Sequence, residues 1–137
     1  MRPQFLAMLG LVVAANLAAC AVTATKQNAP EARSVQSGAR DKIAYFYNLT
    51  ASCQPEGVPQ VTVTKTPGNG SVTIGTGDDL PQYPADNPRS ACNQQPVGST
   101  EVYYQSRPDF HGVDDFSIEV RYSSTFTQTY SYNLTVN

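Results

Sequence analysis

An antiparallel β-sandwich of about seven short strands is the fold class this sequence predicts, and three observations carry it. Apolar side chains recur with a period of two from Lys42 onward. Glycine and proline fall at the joints between these runs. No segment beyond the first stretch shows apolar residues at helical spacing. The 137 residues, 40% hydrophobic and 15% charged, suit one globular domain behind a leader and leave no room for a second.

The chain opens as a leader. Met1-Arg2-Pro3-Gln4 is a short positive n-region, and Phe5 to Ala15 is an uncharged run too short for a permanent transmembrane helix, which makes it a secretory h-region. Loss of Arg2 with the leader changes the formal charge from −2 to −3, eight basic residues then facing eleven acidic ones. Nucleic acid is excluded as a partner class, because phosphate binding needs a concentration of Lys and Arg that is missing here.

Three cysteines leave one unpaired in a secreted chain unless one is modified, and Cys20 stands where modification occurs. Cys53 and Cys92 remain as a pair. A disulfide between them in an oxidising compartment closes a loop of about 40 residues, worth roughly 4 kcal/mol on the chain-entropy estimate. Leu17-Ala18-Ala19-Cys20 resembles the bacterial lipobox over all four positions, directly after the h-region. The resemblance implies cleavage before Cys20 and lipidation of its thiol. Because Ala21 is not the Asp of inner-membrane retention, it also implies an outer-membrane lipoprotein joined to the membrane by its lipid. The alternative is cleavage after Val22-Thr23-Ala24 and secretion, which leaves Cys20 without a purpose.

Residues 20–40 then form the lipidated N-terminus and a flexible linker between the signal peptide, 1–19, and a sandwich domain over 41–137. The segment Ala21 to Arg40 is small and polar with no apolar periodicity, and a random coil of this length reaches about 25 Å. Ile43, Tyr45 and Tyr47 alternate with Ala44 and Phe46 as the first strand, and Val61 and Val63 mark the second. Ser71 to Ile74 and Glu101 to Tyr104 are the next runs. Phe116, Ile118, Val120 and Tyr122 line one face of a strand, and Tyr130, Tyr132, Leu134 and Val136 one face of the last. Pro67-Gly68-Asn69-Gly70 and Ser123-Ser124-Thr125 are turns. Trp is absent.

"TPGNGSVTI" followed by "VYYQSRPDFHGVDDFSIEV" resembles the bacterial cadherin-like and immunoglobulin-like repeats of surface proteins. Pro67 and Gly70 fill their turn, Tyr104 their aromatic, and Phe110, Gly112, Asp114 and Phe116 their Phe-x-Gly-x-Asp-x-Phe motif. The resemblance implies an immunoglobulin-like sandwich over about Val58 to Val136. Ser106 stands where the family has Pro, and an insertion from Gly75 to Gly98, carrying Cys92, has no counterpart. The motif has a purely structural explanation: Phe110 and Phe116 fill the core, Gly112 takes a backbone angle closed to other residues, and Asp114 accepts backbone hydrogen bonds at a corner.

Relatives of this kind can bind Ca2+, and Asp109, Asp114 and Asp115 cluster in one corner, with Asp78, Asp79 and Asp86 in the insertion. Their spacing matches no calcium loop, and solvated carboxylates are the simpler reading, so no cofactor is expected. His111 is a lone turn histidine. Neither a nucleophile elbow nor a phosphate-cradling loop nor a His-rich metal motif is present, which points away from an enzyme. Within the insertion, Tyr83 and Arg89 are favoured contact types on a loop that a Cys53–Cys92 bridge can pin. The expectation is a non-enzymatic envelope lipoprotein, a tethered binding or adhesion module for a protein or glycan partner. Its alternatives are a structural subunit of a surface assembly, a secreted binding protein and a periplasmic hydrolase. Oligomeric state is left open. The Cys20→Ser chain should lose incorporation of labelled fatty acid in growing bacteria, whereas undiminished labelling would exclude lipidation at this cysteine.

Overall fold

A computed structural model describes residues 26–137. The segments read from sequence as a signal peptide, a lipobox ending in Cys20 and the first part of a linker, up to residue 25, lie outside the described residues. The elements are β1 (Lys26–Gln27), β2 (Glu31–Val35), β3 (Arg40–Phe46), β4 (Gln60–Lys65), β5 (Gly70–Asp79), a short 3-10 helix (Ser90–Gln94), β6 (Val97–Ser106), β7 (Gly112–Arg121) and β8 (Thr127–Val136).

Two sheets face each other. One runs β8–β7–β4 in antiparallel pairs, with β1 and β2 both parallel to β8 along its other edge; the second is β3–β6–β5. Because β1 and β2 occupy successive stretches of one edge, with Pro30 between them, they act as one interrupted strand. The sandwich therefore has seven strand positions in the immunoglobulin-like arrangement, as the sequence predicts. The chain changes sheet between β2 and β3, between β3 and β4, between β4 and β5, and between β6 and β7.

Period-two patterning fills the space between the sheets. Phe116, Ile118 and Val120 from β7 and Tyr132, Leu134 and Val136 from β8 are buried against Val102 and Tyr104 of β6. Without Trp, an aromatic column takes the centre. Tyr104 stacks on Phe116 with centroids 6.3 Å apart, and Phe116 on Tyr132 at 5.0 Å.

Three expectations need correction. The linker reading of 21–40 fails for its second half, since Lys26–Gln27 and Glu31–Val35 are strands and Val35 is only 4% exposed. A short edge strand with one inward apolar side chain is held by backbone pairing, which leaves no periodic signature in sequence. In β3, Tyr45 does not share the inward face of Ile43. A bulge between Lys42 and Ala44 lets Ile43 and Phe46 both enter the core, while Tyr45 and Tyr47 remain half-exposed. The insertion from Gly75 to Gly98 is also shorter than expected: β5 continues to Asp79, β6 starts at Val97, and the loop proper is residues 80–96.

The crossover from β4 to β5 is held by one carboxylate. Asp114 is nearly buried and accepts the backbone N–H groups of Gly68 (2.8 Å), Asn69 (2.9 Å) and Asp115 (2.9 Å). The Tyr104 hydroxyl of the opposite sheet also donates to it, at 2.9 Å. Burial alone would raise its pKa, but the Asn69 and Gly68 N–H groups and the Tyr104 hydroxyl outweigh burial and hold it below the usual carboxylate range. Burial and the bond to Asp114 push the Tyr104 hydroxyl up in turn. Nearby, Gly112 has φ 140°, the backbone freedom the sequence motif requires. Ser106, which stands where the resembled repeats have Pro, is buried; its Oγ accepts the Gly38 N–H at 2.8 Å and donates to Arg107 O at 3.1 Å, tying β6 to the β2–β3 turn.

Replacing Asp114 with Asn swaps an acceptor-only group for one that brings its own donors among donors, and should cost about 2–3 kcal/mol in urea unfolding. Because its folded pKa is depressed, the stability Asp114 contributes is complete above the unfolded carboxyl pKa of about 4 and is lost as pH falls through the folded value. The Asn variant should lack that portion of acid sensitivity.

Candidate functional site

Three connections meet at one end of the sandwich. Register pairs Phe46 with Thr100, Gln60 with Arg121, Asp79 with Val97 and Arg121 with Thr127, so the β3–β4, β5–β6 and β7–β8 loops share that end. The first two are covalently joined. Cys53 and Cys92 form the expected disulfide across a sequence separation of 39, with Cys92 buried in the 3-10 helix. The bridge joins loop to loop rather than loop to sheet.

Around it the β3–β4 loop folds on itself. Leu49 is buried and bridges to Pro55, Cys53 adopts φ 64°, and the Cys53 N–H reaches Thr50 O at 3.1 Å. The long loop is then fastened from its ends. Tyr45 donates its hydroxyl to Leu80 O at 3.0 Å, the Gln82 N–H donates to the Tyr47 hydroxyl at 2.7 Å, and Arg89 Nε donates to Leu49 O at 3.0 Å. Asn93 accepts the Tyr83 N–H and donates to Tyr83 O, both at 2.9 Å.

These contacts gather the two loop residues singled out from sequence, Tyr83 and Arg89, with side chains from both sheets. Tyr47 meets Tyr83 edge to face at 5.4 Å, Phe46 lies 4.9 Å from Tyr130, and Tyr122 lies 5.4 Å from Phe126. Two hollows of about 300 and 470 Å3 share Tyr45, Phe46, Tyr47 and Tyr130 as walls and together form one aromatic groove. Burial, and then the neighbouring Tyr47, raise the Tyr83 pKa. Burial and the Tyr130 hydroxyl at 3.0 Å raise that of Tyr122. The Tyr83 and Tyr122 hydroxyls therefore stay protonated near neutrality, and the groove offers ring faces, hydroxyl donors and the Arg89 guanidinium, with Lys42 and the Arg33–Glu31 pair on its other wall. Phe126 is 47% exposed at its rim.

Sequence reasoning misses most of this groove. It puts Tyr122 and Tyr130 on core faces and gives Phe126 no role, although a tyrosine at a strand end, with a hydroxyl that needs a partner, suits a half-exposed wall better than a core. A second unforeseen group covers the outer face of the smaller sheet. Lys42 bonds Glu101 and Asp79, Tyr103 donates to Glu101 at 2.7 Å, and Ser99 donates to Asp79. Bonding to Glu101 and then Asp79 raises the Lys42 pKa, and the Lys42 ammonium with the Tyr103 hydroxyl lowers that of Glu101. The Glu101 carboxylate lies where a Cβ on Gly77 would stand, so a larger residue there would displace that carboxylate from its place beside Lys42. Every member is satisfied, which makes the cluster a sheet fastener.

The calcium reading is not supported by the geometry. Asp114 and Asp115 point to opposite faces of β7. Asp114 is saturated by N–H and O–H donors, Asp115 pairs with Lys65, and Asp109 sits exposed in a left-handed turn at φ 59°. Asp79 serves the Lys42 cluster, whereas Asp78, Asp86 and His111 are exposed. Among the described residues no three acidic, His or Cys side chains gather as a metal site. A hollow of about 670 Å3 lies beside Asp114 and Asp115 at the far end, with both carboxylates already engaged.

No protein family and no curated protein matches this sequence. Among solved structures, the chain is similar to the solution structure of amebosin at 8% identity and a TM-score of 0.41, over 83% of this chain and 100% of that one. Removing the bridge with Cys53→Ser and Cys92→Ser should cost about 4 kcal/mol on the loop-entropy estimate. Amide exchange should accelerate across residues 80–96 while β7 and β8 stay protected.

Proposed function

We propose that the chain is a non-enzymatic lipoprotein of the bacterial outer membrane, a tethered immunoglobulin-like module whose loop end binds another component of the envelope. The observation that carries this reading is the convergence of Tyr83 and Arg89 with Tyr47, Tyr122, Phe126 and Tyr130 around one groove. Rigid aromatic rings lose little conformational entropy on contact, and a guanidinium that commits only its Nε to Leu49 O keeps its terminal nitrogens for a ligand. In immunoglobulin-like sandwiches the loops of one end are the ordinary place for such contacts. Among the described residues one carboxylate lines the groove, Glu31, and it is paired with Arg33 at 2.7 Å, an arrangement that suits recognition better than acid–base catalysis.

One observation favours the alternative, a subunit of a surface assembly. Each of the other sheet edges carries a guard against strand addition: Pro30 and Arg33 on β1–β2, Arg40, Lys42 and a bulge on β3, Lys65 and a bulge on β4. β5 runs ten residues with neither bulge, Pro nor basic side chain. Crosslinking in intact cells followed by affinity purification separates these readings. Wild type should capture an envelope component, Tyr83→Ala should reduce capture roughly tenfold or more, and Cys20→Ser should abolish it. Capture of further copies of the chain itself, unaffected by Tyr83→Ala, would favour the assembly. Capture that survives Cys20→Ser would favour a secreted binding protein.

A further inference from the structure

The point where the chain enters the sandwich limits what the loop end can reach. β1 starts at Lys26, and its register sets Lys26 beside Gln128, two residues beyond Phe126. The strand therefore begins at the loop end, while the chain finishes at the opposite end, where the Asn137 N–H bonds Val35 O at 3.0 Å. Between Cys20 and Lys26 stand only Ala21, Val22, Thr23, Ala24 and Thr25. Even fully extended, so few residues span no more than about 22 Å, less than the roughly 33 Å length of the ten-residue strands β7 and β8.

We infer that the aromatic loop end rests on the lipid surface that holds Cys20, and that the envelope component met by the β7–β8 turn is the headgroup layer of that bilayer. This inference rests on the lipoprotein reading and names its ligand class. The turn's own chemistry fits a wet apolar boundary: Tyr122-Ser123-Ser124-Thr125-Phe126 has no charge, Phe126 is 47% exposed, and Tyr122 and Tyr130 stand behind it with their hydroxyls bonded to each other. Tyrosine and phenylalanine at this spacing place rings at the acyl boundary and hydroxyls among headgroups, as in interfacial aromatic belts. Arg121 and Arg89 flank the turn and the groove and suit lipid phosphates, whereas the carboxylates Glu56 and Asp86 are carried by the other two loops. At the far end Val113 is 77% exposed but lies beside Lys65, Asp115 and the saturated Asp114 corner, a charged setting for an interface.

Because the chain has no tryptophan, one introduced indole reports its own surroundings. Phe126→Trp and Val113→Trp chains would be produced with their leader in bacteria, extracted from membranes, and reconstituted into phosphatidylethanolamine vesicles containing phosphatidylglycerol and brominated acyl chains. Intact mass would report whether Cys20 carries lipid. Ser124→Trp, in the same exposed turn, repeats the reading should Phe126→Trp fold poorly. With Cys20 lipidated, the indole at 126 should shift to the blue and lose most of its emission to the bromines, while that at 113 stays quenched no more than free indole. A lipidated chain whose indole at 126 is quenched no more than that at 113 overturns this inference and leaves the anchor intact. An unmodified Cys20 overturns the anchor and this inference with it.

Discussion

Asp114 is the one group whose bonds cross every level of this structure. It sits on β7 in the larger sheet, receives a hydroxyl from β6 in the smaller sheet, and fixes the backbone of the strand crossover between them through Gly68 and Asn69. A buried carboxylate is costly unless its oxygens are met, and here four donors meet them. The aromatic column of Tyr104, Phe116 and Tyr132 begins from the same residues, so the clasp sets the spacing at which that column packs. With one end locked this way, the opposite end can carry long loops without loosening the frame.

Those loops depend on a second constraint of another kind. Residues 80–96 hold little apolar surface and gain order from the Cys53–Cys92 bridge, the Tyr45 and Tyr47 hydroxyls and the Arg89 guanidinium. The division of labour is physical: buried apolar area and Asp114 hold the strands, and a crosslink with a few polar bonds holds the loops. It explains how half-exposed tyrosines can be presented as a fixed wall.

Much of the fold was legible because β7 and β8 are buried on one face, so Phe116, Ile118, Val120, Tyr132, Leu134 and Val136 had to alternate. The corner role of Asp114, the φ of Gly112 and the cysteine pair were legible for similar reasons: each residue type answers a local demand. β2 was not, since backbone pairing to β8 makes it a strand and its side chains are mostly exposed. The β3 bulge was hidden too, because one extra residue breaks a period of two without changing composition. Of the groove, Tyr83 and Arg89 could be named from the loop's composition, but Tyr47, Phe126 and Tyr130 join them only through strand register, which one sequence does not display.

Engagement of the envelope through the three-loop end is what the proposed function requires. Hydrogen exchange of the full chain, measured with and without isolated outer membranes, tests it across all backbone positions at once. Added protection is expected at residues 45–58, 80–96 and 121–130 and nowhere else. Protection at the opposite end, over residues 66–70 and 106–113, or no change anywhere, would contradict it.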